Sequence, residues 1–250
     1  MSKIPIILLW FVLLTAGCSA AESKEKELTV SAAASLQDAL KEIRTSFEKE
    51  HPAIHIQFNF GSSGALQQQI SQGAPADLYI SAAEEQFDRL VQQGLMLDKG
   101  TILAGNELVL AVPKDSPIQS FQDLSKAKRI SIGTPETVPA GRYAKESLEN
   151  QNVWSAAEEK IVYAKDVRQV LTYVETGNVD AGIVYKTDVL STSNMEIADT
   201  AGQKTHSPIL YPAGIVKNTA HLREAKLFYT FLQSDSSKRI LEEYGFKGLN

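Results

Sequence analysis

Two spacings of apolar residues alternate along the chain. Leu28, Thr29 and Val30 form a short β-prone run, and from Ser35 onward Leu36, Ala39, Leu40, Ile43 and Phe47 recur at the spacing of one buried helical face. Ile54, Ile56, Phe58 and Phe60 alternate with polar residues, as in a strand with one buried side. Gly61-Ser62-Ser63-Gly64 then makes a turn, and Leu66 with Ile70 marks a helix ending near Gly73. Asp77 to Ser81 is a short apolar strand, followed by a helix over Glu84 to Gln93 whose inner face is Phe87, Leu90 and Val91 and whose stop is Gly94. Glu107 to Pro113 is almost continuously apolar, the pattern of a strand buried on both faces, and would carry the chain into a second lobe.

The same rhythm returns in the second half. Ile118 to Leu124 predicts a short connecting helix, Ile130 to Gly133 a strand, and Pro139 the start of a helix with Tyr143, Ala144 and Leu148 inward. Ile161 to Ala164 is a strand running into Asp166-Val167-Arg168-Gln169, a D-x-x-Q capping box ahead of Val170, Leu171 and Val174. Gly177 stops that helix, and Ala181 to Tyr185 is a buried strand closing on a tyrosine hydroxyl. Met195 to Ala198 and Leu210 to Val216 are further strands, the second returning the chain to the first lobe. Leu222, Ala225, Phe228, Tyr229 and Leu232, then Ile240, Leu241 and Tyr244, mark two closing helices.

Four of these strand-to-helix switches carry small or hydroxyl residues. Ser35 fits an N-cap, with Asp38 three residues on placing a carboxylate in the first turn against the positive end of the helix dipole; alternatively its hydroxyl and the free amides beside it face an anion, with Ala32, Ala33 and Ala34 leaving the helix start uncluttered. Ser62 and Ser63 present hydroxyls at the second switch. Pro139 donates no N–H, so Ala140 and Gly141 offer the first free amides of the third. Asp166 and Val167 open the fourth. At each switch a plain capped turn accounts for the residues as well as a ligand does.

Composition narrows the class. The chain has 250 residues, 43% hydrophobic and 22% charged, enough for one large domain or two lobes. A net charge of −5 without a long basic run argues against nucleic acid or an anionic membrane surface as partner. Lys3, the apolar run Ile4 to Leu14 and the small residues Ala16 and Gly17 form a signal peptide over residues 1–17, too short to span a membrane comfortably. Cys18 is the one cysteine, so no internal disulfide can form. His51, His55, His206 and His221 are scattered, which argues against a zinc site, and neither a G-x-S-x-G elbow nor a G-x-x-x-x-G-K phosphate loop occurs. Nothing in the spacing joins Ser63 to a histidine and an aspartate as a triad.

Leu14-Thr15-Ala16-Gly17-Cys18 resembles the lipobox of bacterial lipoproteins, with Thr15 in place of the usual aliphatic residue. On that reading Cys18 is lipidated and residues 18–27 are the anchor and a charged tether; the alternative is an ordinary secretory signal. AAASL at Ala32, FGSSGAL at Phe60, GAPADLYISA at Gly73, PETVPAGRYAKE at Pro135, KDVRQVL at Lys165 and AGIVYKTD at Ala181 together resemble the molybdate-binding proteins of bacterial ABC importers over nearly the whole mature chain.

The resemblance implies an α/β, two-lobed periplasmic-binding-protein fold of type II, with two crossing strands and a ligand cleft between lobes. Lobe I would span residues 28–108 and 212–250, and lobe II residues 109–211. The oxyanion ligands carried over are the Ser35 hydroxyl and amide, Ser63, the Ala140 and Val167 amides and the Tyr185 hydroxyl. Arg142 and Arg168 are not among them. This chain has Gly64 where several relatives have a third consecutive serine, and Lys165 where an acidic residue is common. The implied function is extracytoplasmic capture of molybdate, and of tungstate, by a monomeric, lipid-anchored, non-enzymatic protein without cofactor, which delivers it to a membrane permease. A sulfate-binding protein, or one for another tetrahedral oxyanion, is the rival within the class. An exported hydrolase is the rival outside it.

Overall fold

The computed structural model describes residues 25–249, so the signal-peptide and Cys18 readings lie outside the described residues. Strand β1 (Lys26–Ala33) leads through a tight 3-10 turn (Ala34–Leu36) into α1 (Gln37–Glu50). Then come β2 (Ile54–Gly61), α2 (Ser63–Ser71), β3 (Leu78–Ile80), α3 (Glu84–Gln92) and β4 (Thr101–Gly105). The second unit holds β5 (Leu108–Pro113), a 3-10 turn (Phe121–Lys126), β6 (Ile130–Gly133), α4 (Pro139–Asn150), α5 (Trp154–Ala157), β7 (Ile161–Ala164), α6 (Val167–Glu175), β8 (Ala181–Tyr185), α7 (Lys186–Leu190) and β9 (Met195–Thr200). Finally β10 (Leu210–Ile215), α8 (Leu222–Leu232) and α9 (Asp235–Glu243) return to the first.

Two five-stranded sheets result, ordered β2-β1-β3-β10-β4 and β7-β6-β8-β5-β9. Each contains three parallel strands and one strand that has just crossed from the other lobe. That arriving strand, β10 or β5, runs antiparallel to both of its neighbours. The two lobes are thus built alike, as the type II fold requires.

This topology decides where helices begin. In β1 and β2 the register pairs Ala33 with Gly61, so the turns that open α1 and α2 lie side by side at one sheet edge. In β6 and β7 it pairs Gly133 with Ala164, which does the same for α4 and α6. Ligands of open α/β sheets bind at such carboxyl ends of parallel strands, where helix N-termini gather.

Packing holds the lobes rigid. Leu28, Val30, Leu40, Ile43 and Phe47 are fully buried, and Phe47 meets Phe228 and Phe231 edge-on at 4.9 and 5.4 Å, fixing α1 to α8. In the second lobe the residues of β5 from Leu108 to Val112 are all at 0% exposure, which is why that run is apolar at every position.

Several expected details differ. Ser35 is not an N-cap: it lies inside the 3-10 turn, where no side chain caps the helix start, and its hydroxyl points to Tyr211 instead. Helix α2 opens at Ser63, ahead of the apolar residues that marked it, and its first turn meets the other lobe through Gly64, whose N–H donates to the Thr137 carbonyl. The tether reading ends early, since Lys26 and Glu27 already pair with Ile54 and His55. Strand β4 was not anticipated; its first residues are half-buried and carry no clear alternation. The boundaries drawn at 108/109 and 211/212 fall within β5 and β10, because the chain crosses in the connectors before these strands: Asn106–Glu107, and the segment 201–209.

Candidate functional site

Between the lobes, Ala33, Ala34, Ser35, Gly61, Ser62, Ser63 and Ala82 from one side face Val138, Pro139, Ala140, Asp166, Val167 and Tyr185 from the other. Together they bound a small cavity between the lobes. Its free space is far below the roughly 300–1,000 Å³ usual for drug-sized ligands, so a guest held between these walls has to be a small one. All five sequence-predicted ligand residues, Ser35, Ser63, Ala140, Val167 and Tyr185, are brought together in this wall.

Each presents a donor for a local reason. Ser63 is the first residue of α2, is almost fully buried, and accepts the Ala82 N–H on its Oγ at 2.9 Å, which leaves its own O–H to point elsewhere. Ser62, one residue earlier, holds the N-cap position without capping through its side chain. Ala140 follows Pro139 at the start of α4, and Val167 is the first residue of α6, so neither amide has an acceptor within its helix. Gly141 allows this arrangement: a Cβ there would lie 1.8 Å from the Gly133 carbonyl oxygen, so only glycine lets the start of α4 sit against the end of β6.

The expected capping box at Asp166 is present in altered form. Asp166 Oδ1 accepts the Gln169 N–H at 2.9 Å, but Gln169 Oε1 accepts from the Lys165 N–H at 2.8 Å rather than from the cap residue itself. Lys165 therefore contributes a backbone contact at the rim, and its side chain is not part of the cavity wall.

Tyr185 is the group that most needs explaining. Its ring is buried at 1% exposure, and its hydroxyl has no hydrogen-bond partner among the described residues although Tyr185 borders the cavity. A buried orphan hydroxyl costs about 1–3 kcal/mol unless something arrives to pair with it. Burial also raises its pKa well above the ordinary phenol, so it remains an O–H donor at any physiological pH.

Among the described residues no lysine, arginine or histidine lines the cavity. Arg142 is engaged by Glu146 at 2.5 Å and Glu85 at 3.4 Å, and its guanidinium lies over the Tyr143 ring at 4.5 Å. Arg168 is engaged by Asp38 at 2.7 Å. Both thus bridge the lobes beside the cavity without entering it. His221, which pairs with Asp77 at 3.2 Å, also lies outside the wall.

Sequence reasoning missed three groups behind the wall. Tyr211 and Asn106 support Ser35, and Asp188 is fully buried with Oδ2 accepting the Tyr185 N–H at 3.1 Å. Burial pushes the Asp188 carboxyl up to about 7, against the pull of Arg168. None follows a motif; a lone Tyr in an apolar strand and a lone Asn before one carry no signal until the crossing strands are placed.

Two matching lobes that close over a small cavity fed by helix N-termini define a solute-binding protein. The chain belongs to the family of bacterial extracellular solute-binding proteins, whose model matches residues 28–247. It is 58% identical over 242 residues to a putative ABC transporter substrate-binding lipoprotein, YvgL, of Bacillus subtilis, covering 94% of this chain and 93% of that protein. It is 35% identical to the molybdate-binding protein ModA of Haemophilus influenzae, covering 94% of this chain and 95% of that protein. Among solved structures, the substrate binding domain of a putative molybdenum ABC transporter from Clostridium difficile superposes with a TM-score of 0.70 at 41% identity, over 90% of this chain and 100% of that one. The periplasmic molybdate-binding protein of Azotobacter vinelandii shares the fold with a TM-score of 0.80 at 23% identity, over 89% and 100% of the two chains. The resemblance carried by the six motifs is therefore borne out at the level of the family.

Proposed function

We propose that this chain captures molybdate, and tungstate with it, outside the cytoplasm and delivers it to the permease of an ABC importer. The oxyanion would accept hydrogen bonds from the Ser35 hydroxyl and amide, the Ser63 hydroxyl, the Ala140 and Val167 amides and the Tyr185 hydroxyl. The observation that carries the reading is the buried, unpartnered Tyr185 hydroxyl beside three helix starts. A tetrahedral dianion satisfies that hydroxyl and the free amides at once, and the positive ends of α2, α4 and α6 compensate its charge without a neighbouring cation. Neutral donors at fixed distances also favour a fully ionised guest, since a protonated oxyanion would turn its own O–H against a donor. The anion is cargo, and the protein works as a monomer held at the membrane by a lipid on Cys18.

The test is thermal denaturation of the mature chain with molybdate, tungstate, sulfate and phosphate at equal concentration. A ligand at a hundred times its dissociation constant adds about 2.7 kcal/mol of stability. Molybdate and tungstate should raise the melting temperature and sulfate should not; an equal or larger shift with sulfate would reassign the cargo.

A further inference from the structure

Behind Ser35 runs a buried chain of polar groups that spans both crossings. Glu107 N–H donates to Asn106 Oδ1 at 2.8 Å, which fixes the amide so that Nδ2 faces inward. From there Asn106 Nδ2 donates to Thr187 Oγ1 at 3.0 Å, in the second lobe, and to Tyr211 Oη at 3.0 Å, in the first. Tyr211 Oη lies 3.1 Å from Ser35 Oγ. Asn106 and Ser35 are buried and Tyr211 is at 0% exposure, so bulk water does not randomise these bonds.

The directions follow from donor counting. An amide NH₂ only donates, so Tyr211 Oη must accept from Asn106, and the one hydrogen Tyr211 owns has Ser35 Oγ as its acceptor. Ser35 Oγ is then occupied as an acceptor on its inner side and has its own hydrogen left for the cavity. Burial raises the Tyr211 pKa far above the usual phenol, which keeps that hydrogen in place.

We propose that Asn106 and Tyr211 are positioning residues that set the polarity of Ser35, forcing its hydroxyl to be a donor toward the ligand and so excluding oxyanions that carry a proton. This rests on the oxyanion reading above and deepens it. Selectivity against a protonated guest is set two residues away from the cavity, at the point where the chain crosses between lobes.

The experiment is competition against molybdate, followed by calorimetry, using sulfate and hydrogen phosphate in large excess, so that binding too weak to shift the melting temperature at equal concentration is still read, at a pH where both carry two charges. The two competitors are alike in shape and charge and differ by one proton. Sulfate should compete better in the wild-type chain. Asn106→Asp replaces the inner donor by an acceptor, so Tyr211 turns its O–H toward residue 106, Ser35 turns its O–H toward Tyr211, and a lone pair faces the cavity. The added charge opposes both competitors equally, whereas the ratio of sulfate to hydrogen phosphate affinity should fall about tenfold, the value of one charge-assisted hydrogen bond. Tyr211→Phe, which leaves Ser35 free to rotate, should produce a smaller fall in the same direction. Both effects should vanish in a Ser35→Ala background, because the relay acts only through that hydroxyl.

A purely structural role would weaken both competitors together and leave the ratio fixed. An unmoved ratio in the folded variants, with molybdate still bound, overturns the relay and leaves the oxyanion site standing. A wild-type chain that binds none of these anions overturns the oxyanion reading and the relay with it.

Discussion

Arg168 of α6 donates to Asp38 of α1 at 2.7 Å, one residue from each lobe. The first-turn carboxylate that looked like a partner of the helix dipole is thus half of a clasp across the cleft. Glu85 and Arg142 make a second interlobe pair at 3.4 Å. Both Asp38 and Arg168 are about one-third exposed, which limits what the clasp contributes. Asp38→Asn should speed anion release by roughly fivefold, the equivalent of about 1 kcal/mol for a partly exposed pair, and the difference should shrink at high salt. Stopped-flow release rates that match the wild type at every ionic strength would remove the clasp from the account of closure.

Gly64 is the second closure element. Its N–H donates to the Thr137 carbonyl of the opposite lobe at 2.9 Å, and a Cβ on it would lie only 2.6 Å from that oxygen. Here the departure from a third serine has a physical meaning, because the backbones approach too closely for any side chain. Gly64→Ala should leave the anion-free melting temperature nearly unchanged but weaken binding about tenfold or more, an overpacking cost of roughly 1–3 kcal/mol. Small-angle scattering should then find the variant less compact than the wild type at saturating molybdate; identical compaction would contradict the steric argument.

Tyr185→Phe separates function from stability. The hydroxyl has no partner among the described residues, so the protein by itself gains nothing from it that phenylalanine would lose. The variant should be as stable as the wild type or more so without anion, while its molybdate affinity falls by about 1.5–3 kcal/mol. If denaturation without anion found the variant markedly less stable, the hydroxyl must have a structural partner after all.

Val167→Pro removes one amide while sparing the helix. Val167 is the first residue of α6, where proline is tolerated, and Asp166 before it is extended at φ −158 and ψ 171, the conformation a following proline prefers. The Asp166 bond to Gln169 does not involve the lost N–H. The variant should fold and lose about 1.5–3 kcal/mol of anion affinity. Unchanged calorimetric affinity would exclude the Val167 amide as a ligand.

Asp188 should leave a pH signature on folding. Its carboxyl is raised from 3.8 to about 7 in the native state, chiefly by burial. Between these values the folded chain binds more protons than the unfolded one, so this group makes stability fall as pH rises from about 4 to about 7, after which its contribution is constant. Asp188→Asn should flatten that part of the profile in melting experiments from pH 4 to 8. A slope identical to the wild type would mean the carboxyl is already ionised in the folded state.

The local elements and the family were legible in the residues themselves, and the five residues that the resemblance named as ligands come to line one cavity. Apolar spacing marks α1 through Leu36 to Phe47, and the small-residue switches at Ser63, Ala140 and Val167 are turns whose backbone chemistry is set by the residues that form them. Those features depend on neighbours a few positions apart, which is the range over which periodicity and capping act. What only the tertiary structure decided is everything that depends on distant partners. Ser35 matched an N-cap pattern, yet Tyr211, 176 positions away, holds its hydroxyl. Asp38 matched a dipole partner, yet Arg168, 130 positions away, takes its carboxylate. A hydroxyl or carboxylate at a helix start satisfies the local rule equally well whether it turns back to its own amides or outward to another lobe. The choice is made by which donor the folded chain delivers to it, and that is set by the two crossings that bring Asn106 and Tyr211 behind the cleft.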